Sequence, residues 1–305
     1  MAKILIPQGI VLLSTNLTAS SYALWNSATA YGVGAKVSSN GDSKGEFEAV
    51  AAHTNKDPED SANLYNAETN PSGVWKFLST QNRWAWGDQY FNTQSYRDAN
   101  ITLSIAAYGS HALYLGNLDC IDVTITVKDN DTQEVIEPPL TIGVITEPTT
   151  HEEYGFGDWI DETVGDVVYQ RTTLTRNITY EIVINAGSGT AKLGVLVSGV
   201  TRDVGSAVWG AELSSLFYGT VVTDSASGVT FLSKGHSAKT LSPRLEADTS
   251  VMRSHFRTFD KIQGEPVVFI DDFALLNAYG YLQKFKQSAL NPSRFTTDVD
   301  FVGLI

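Results

Sequence analysis

Ile121-Asp122-Val123-Thr124-Ile125-Thr126-Val127 alternates apolar and polar side chains without a break. In an extended chain successive side chains point to opposite faces, so one face of this segment is all Ile and Val and the other all Asp and Thr. That is the signature of a half-buried β-strand. Ile101-Thr102-Leu103-Ser104-Ile105 and Tyr180-Glu181-Ile182-Val183-Ile184 repeat it on either side, and Arg294-Phe295-Thr296-Thr297-Asp298-Val299-Asp300-Phe301-Val302 repeats it near the C-terminus. Turn formers punctuate the runs at Asp129-Asn130-Asp131, Pro138-Pro139 and Glu147-Pro148. The expected fold is mainly β: a small loop-rich module followed by one or two antiparallel β-sandwich domains.

Working outward, the 305 residues suffice for one large or two to three modest cores. We divide them into an N-terminal arm (1–20), a small module (21–90), a β-sandwich (91–200) and a second β-rich domain (201–305), the last two able to form one body. Gly187-Ser188-Gly189 reads as a hairpin turn, because neither a lysine nor a helix-forming stretch follows. Ala274 to Tyr281 is the one clear helix candidate. The apolar start, Ile4-Leu5-Ile6 and Ile10-Val11-Leu12-Leu13, is interrupted by Pro7, is too short for a signal-peptide core, and is read as an arm laid on a neighbour's sheet edge. No segment is long and apolar enough to predict a membrane span.

Charged residues are 18% of the chain, below the usual quarter, and the formal net charge is −13. A phosphate backbone would be repelled, which argues against nucleic acid as a partner. The single cysteine, Cys120, excludes an intrachain disulfide and is expected as a buried thiol.

Catalytic constellations are not apparent. His53, His111, His151, His236 and His255 stand singly without metal-ligand spacing, and no Gly-x-Ser-x-Gly elbow occurs. The acidic group Glu147, Glu152, Glu153, Asp158, Asp161, Glu162 and Asp166 lacks the spacing of a calcium loop, and Asp271-Asp272 after Val267–Ile270 reads as a solubilising strand end. No enzyme, metal or cofactor is predicted. Trp84, Trp86 and Tyr90 form an aromatic cluster in which alternation along a strand would put both indoles on one face, suited to a sugar or a partner chain.

Tyr22, Trp25, Tyr31-Gly32-Val33-Gly34 and Val37, followed by Phe47-Glu48-Ala49, Asn55-Lys56-Asp57-Pro58 and Trp75, resemble the small chitin- and cellulose-binding modules. The resemblance covers residues 22–78. It implies that Trp25, Tyr31, Val37, Phe47 and Trp75 build the module's core; Tyr31 and, from the aromatic cluster that follows, Trp84, Trp86 and Tyr90 are the candidate sugar contacts. The segment Val50-Ala51-Ala52-His53-Thr54 lacks the adjacent aromatics that stack on sugar in such modules, so the likeness bears on fold more than on ligand. Such modules recur in tails and baseplates of tailed bacteriophages. The stretch Ser206–Ile305, with Tyr218-Gly219-Thr220, Arg244, Gly264–Ile270 and the ending Gly303-Leu304-Ile305, is similar to virion proteins of that setting. The resemblance implies a virion structural protein made in the host cytoplasm, a homo-oligomer of closed symmetry partnered by other tail or baseplate proteins. The alternative is an adhesin that contacts host surface glycan.

Overall fold

The computed structural model describes residues 1–304 apart from 21, 40, 145–164, 174, 209–210, 224–229, 234–236 and 272–275. Among the described residues it is mainly β, with 57% in strands and one α-helix, and its sheets are antiparallel.

The three alternating runs are neighbours in one five-stranded sheet. Its order is Val135–Gly143, Asp122–Asp129, Asn177–Asn185, Ile101–Tyr108, Ile10–Thr15. Register places Ile101, Ile184 and Val123 in one cross-strand row, Leu103, Ile182 and Ile125 in the next, and Ile105, Tyr180 and Val127 in the third. All nine side chains are buried. Opposite them lie Leu113, Leu115, Leu193 and Leu196 of a second sheet, which makes a sandwich with one continuous core. Each fully buried aliphatic side chain stabilises this layer by about 1.5–3 kcal/mol.

The second sheet continues beyond the sandwich. Its 18-residue strand Thr190–Ala207 pairs with Ala112–Asp119 and Ser95–Asp98, then with Ala2–Pro7, and finally with Arg244–Asp248. From there the pairing runs Thr190–Ala207, Ala2–Pro7, Pro266–Ile270, Ala278–Ala289, Arg294–Gly303, Arg244–Asp248 and back to Thr190–Ala207. That circuit is a closed six-stranded barrel. Its core holds Ile4, Val204, Leu245, Phe269, Leu282 and Phe301, together with Phe259 and Ile262 of the helix Met252–Ile262. Sandwich and barrel therefore share a strand. The sandwich pairing of that strand ends at Gly199 and its barrel pairing begins there; within the barrel stretch Gly205 takes φ +109° beside a register shift against Ala2 and Lys3.

Several expectations change. Residues 1–20 are no free arm: Ala2–Pro7 is an interior strand of the barrel and Ile10–Thr15 an edge strand of the sandwich. Ile4, Leu5, Ile6, Ile10 and Leu12 pack within the chain, while Val11 and Leu13 stay exposed on the edge strand. Gly187-Ser188-Gly189 turns the chain from one sheet into the other, since Asn177–Asn185 and Thr190–Ala207 belong to different sheets, so it is an arch and not a hairpin. Pro138 and Pro139 sit inside a strand, tolerated because that strand is an edge with an irregular register. Ala274 to Tyr281 is not a helix in its described part: from Ala278 it is a strand flanked on both sides. The α-helix among the described residues is instead Met252–Ile262, whose buried His255, Phe259 and Ile262 follow a helical period.

The module forms a three-stranded sheet, Lys36–Ser38, Gly45–Ala49 and Trp75–Thr80, with a two-stranded one, Ala30–Tyr31 and His53–Thr54. Val37, Phe47 and Trp75 are buried at its centre, and Trp25 and Tyr31 pack against them.

Candidate functional site

Residues 81–94 leave the module and cross the face of the second sheet without becoming a strand. Gln81 begins this passage as a buried anchor, its amide donating to Ser39 O at 2.5 Å. A single 3-10 turn, Ala85–Gly87, follows. That local geometry decides the fate of the two tryptophans. Trp86 turns inward, is 3% exposed, joins the sandwich core and donates its Nε1–H to Arg83 O at 2.8 Å. Trp84, at the start of the turn, stays half-buried beneath two cations, with Arg83 5.7 Å and Lys44 6.0 Å from its ring centre. The expected pair on one strand face is therefore not formed, because a 3-10 turn advances about 120° per residue, so side chains two apart no longer point the same way.

Both indoles nevertheless line one cleft of about 570 Å³. Its walls are the module turn Asp42-Ser43-Lys44, the turn Gln8-Gly9 between the first two strands, and Val195–Ser198 of the shared strand, with Asp88, Gln89 and Tyr279 completing it. Tyr31 and Tyr90 lie elsewhere. Tyr31 is held in the module by Trp75, 5.2 Å between ring centres, and by Asn26, whose backbone N–H donates to its hydroxyl at 2.8 Å. Tyr90 points to solvent, 53% exposed. The structure thus brings together Trp84 and Trp86 and separates them from the other two candidates.

Asp88 is one of two carboxyls, with Asp42, that line the cleft. Burial raises its pKa, and hydrogen bonds from Thr93, Thr80 and Tyr90 only partly oppose this. Thr93 Oγ1 lies 2.8 Å from each carboxyl oxygen and the Tyr90 N–H donates at 2.9 Å. An acid so occupied orders the 88–93 turn. Its nearby charge is the second reason, after burial, that the Tyr279 phenol is pushed up to about 12. The cleft can hold a polar ligand with one flat face: two indoles, a lysine, two glutamines and backbone line it.

The remaining acidic candidates separate. Glu147, Glu152, Glu153, Asp158, Asp161, Glu162 and Asp272 lie outside the described residues, as do His151 and His236. Asp166 is raised by burial and accepts from the Asn117 N–H at 3.3 Å. Asp271 is buried rather than a solubilising strand end, and its N–H donates to Asn277 Oδ1 at 3.0 Å. Among the described residues no group of three His, Cys, Asp or Glu side chains is placed to hold a metal ion, and no helix is long and apolar enough to cross a membrane.

Comparison with protein-family models, with curated proteins and with solved structures finds no match for this chain. Its functional reading rests on its own residues.

One buried acid went unread in the sequence. Glu137, in Val135–Gly143, accepts from Thr172 and Thr173 through both backbone and hydroxyl groups and from the Tyr169 hydroxyl. It ties the outer edge of one sandwich sheet to the segment that leaves the edge of the other. Nothing local in Ile136-Glu137-Pro138 signals this, since the donors lie more than thirty positions away in the sequence.

Proposed function

We infer that the chain is a structural component of a tailed-bacteriophage virion, in the tail or baseplate, that works by assembling with neighbouring subunits. The observation that carries this is the strand Glu212–Phe217. It ends the long sheet, pairs on one side with Ser237–Ser242, and leaves all six of its residues exposed. Leu213, Leu216 and Phe217 are about half exposed, on both faces of the strand, and Tyr218 continues the patch. A monomer gains nothing by presenting apolar side chains on both faces of an edge strand, whereas a subunit interface does. The resemblance to virion proteins supports the same reading, as does an acidic surface suited to crowded assemblies without nucleic acid contact. Mass spectrometry of purified particles from its source tests it: the expectation is a stoichiometric virion polypeptide, and absence from particles overturns the reading.

A second reading, contact with host surface glycan, is favoured by the cleft that holds Trp84 beside Lys44, Gln8 and Gln89. A glycan array compares wild type with W84A. Binding that W84A abolishes supports it, while no binding, or binding indifferent to W84A, removes it.

A further inference from the structure

The helix Met252–Ile262 buries His255, Phe259 and Ile262 and turns Arg253, Phe256, Arg257 and Asp260 outward. Residues three and four apart are neighbours on a helix surface, so the two guanidiniums flank the phenyl ring in one stripe. Between this stripe and the strand Ala278–Ala289 lies an open groove of about 600 Å³, closed on its far side by Thr249 and Gln287. Phe256 meets Phe285 edge-on at 5.2 Å yet remains 49% exposed.

Three features set this groove apart from ordinary surface. Arg253 and Arg257 have no ion pair among the described residues, whereas Arg244 and Arg294 are paired with Asp298 and Glu246. Gln287 Nε2 and Thr249 Oγ1 are buried without a hydrogen-bond partner, a costly state for a donor unless something fills it. The chain carries a net charge of −13, but here two cations face one carboxylate, that of Asp260.

We propose that this groove binds an acidic saccharide, a pyranose ring that bears a carboxylate. Guanidinium forks match a carboxylate bidentately. The exposed phenyl ring offers an apolar face to the sugar's C–H surface, as aromatic side chains with one open face do. Asp260, exposed beside the arginines, accepts from a ring hydroxyl. A peptide of acidic residues answers the arginines but presents no pyranose C–H face to Phe256. The site shares no residue with the Trp84 cleft. It rests on the glycan-contact reading for its ligand class and adds the charge of that ligand.

The test is calorimetry of the full chain with oligogalacturonate, with a neutral oligosaccharide of the same length, and with hexaglutamate. The expected result is binding of oligogalacturonate over both controls, weakened at least tenfold in R253Q/R257Q and in F256A, and unchanged in W84A. All three altered side chains are exposed, and unchanged circular dichroism and melting confirm an intact fold. The more conservative R253K/R257K, which keeps charge but not the fork, is expected to fall between. Absence of oligogalacturonate binding, equal binding of hexaglutamate, or indifference to R253Q/R257Q overturns the proposal. If a neutral glycan binds and W84A abolishes it while oligogalacturonate does not bind, the groove proposal falls and glycan contact stands. If no glycan binds, both fall.

Discussion

Thr173 holds Glu137 with two donors at once, its backbone N–H at 2.7 Å and its hydroxyl at 2.6 Å. Thr172 adds the same pair at 3.0 Å each, so one carboxylate oxygen gathers two consecutive residues. Burial by itself raises the Glu137 pKa, but the bonds from Thr173, Tyr169 and Thr172 overcome it and hold the group at about 2, against an ordinary 4.5. A folded value below the unfolded one stabilises the protein above the unfolded value, and that stability is lost as pH falls through the folded one. Glu137 therefore contributes fully above about pH 4.5 and progressively less down to about pH 2. The linkage is worth on the order of 3 kcal/mol. In urea unfolding, E137Q is expected to be destabilised by about 2–4 kcal/mol at pH 7, with the gap to wild type narrowing toward pH 2. A gap that does not change with pH contradicts the assignment.

The two tryptophans of the cleft should part in their thermodynamics. Trp86 is core, and W86A is expected to lose about 3–5 kcal/mol in equilibrium unfolding. Trp84 is half-buried under Lys44 and Arg83, and W84A should cost about 1 kcal/mol while leaving the fold intact. Equal losses would mean that both side chains serve packing alone.

The strands that were legible in the sequence share a property: each has one wet face. Ile101–Ile105, Ile121–Val127 and Tyr180–Ile184 alternate because only one side of their sheet meets the core. Where both faces are covered the alternation fades. Thr190–Ala207 carries buried residues in succession from Leu193 to Gly199, and Ala278-Tyr279-Gly280 likewise, which is why the latter reads as a helix in isolation. The barrel was illegible for a further reason. Its closure joins Ala2–Pro7 to strands some two hundred residues later, a pairing that no local pattern encodes. Of the candidate site, the residue types at 84 and 86 were legible, but their relative orientation depends on a 3-10 turn whose sequence, Trp84-Ala85-Trp86-Gly87, fits a strand equally well.

Cys120 offers a probe of the sandwich core. Burial, and then the charges of Asp122 and Asp119, push its thiol up to about 12, so at pH 8 the reactive thiolate is scarce and the sulfur enclosed. A thiol reagent is expected to label the native protein negligibly and one site per chain in denaturant. Prompt labelling of native protein at pH 8 would show that the sandwich around Cys120 opens readily.

Gly280 distinguishes the strand from the helix that its sequence suggests. In the barrel, Gly280 sits opposite Gly303, and a Cβ added to it would lie 2.1 Å from Val302 O and 2.7 Å from the Gly303 Cα. Backbone atoms of a paired strand cannot retreat without breaking the ladder, so G280A must open the contact between Ala278–Ala289 and Arg294–Gly303. Those strands close the barrel around Leu282, Val299 and Phe301, and the loss is expected to exceed about 3 kcal/mol in equilibrium unfolding. In a helix the same substitution would stabilise by about 1 kcal/mol, since alanine is the better helix former. The two arrangements thus predict opposite signs for one methyl group, and a G280A protein as stable as wild type or more so would refute the barrel's closure at this pair.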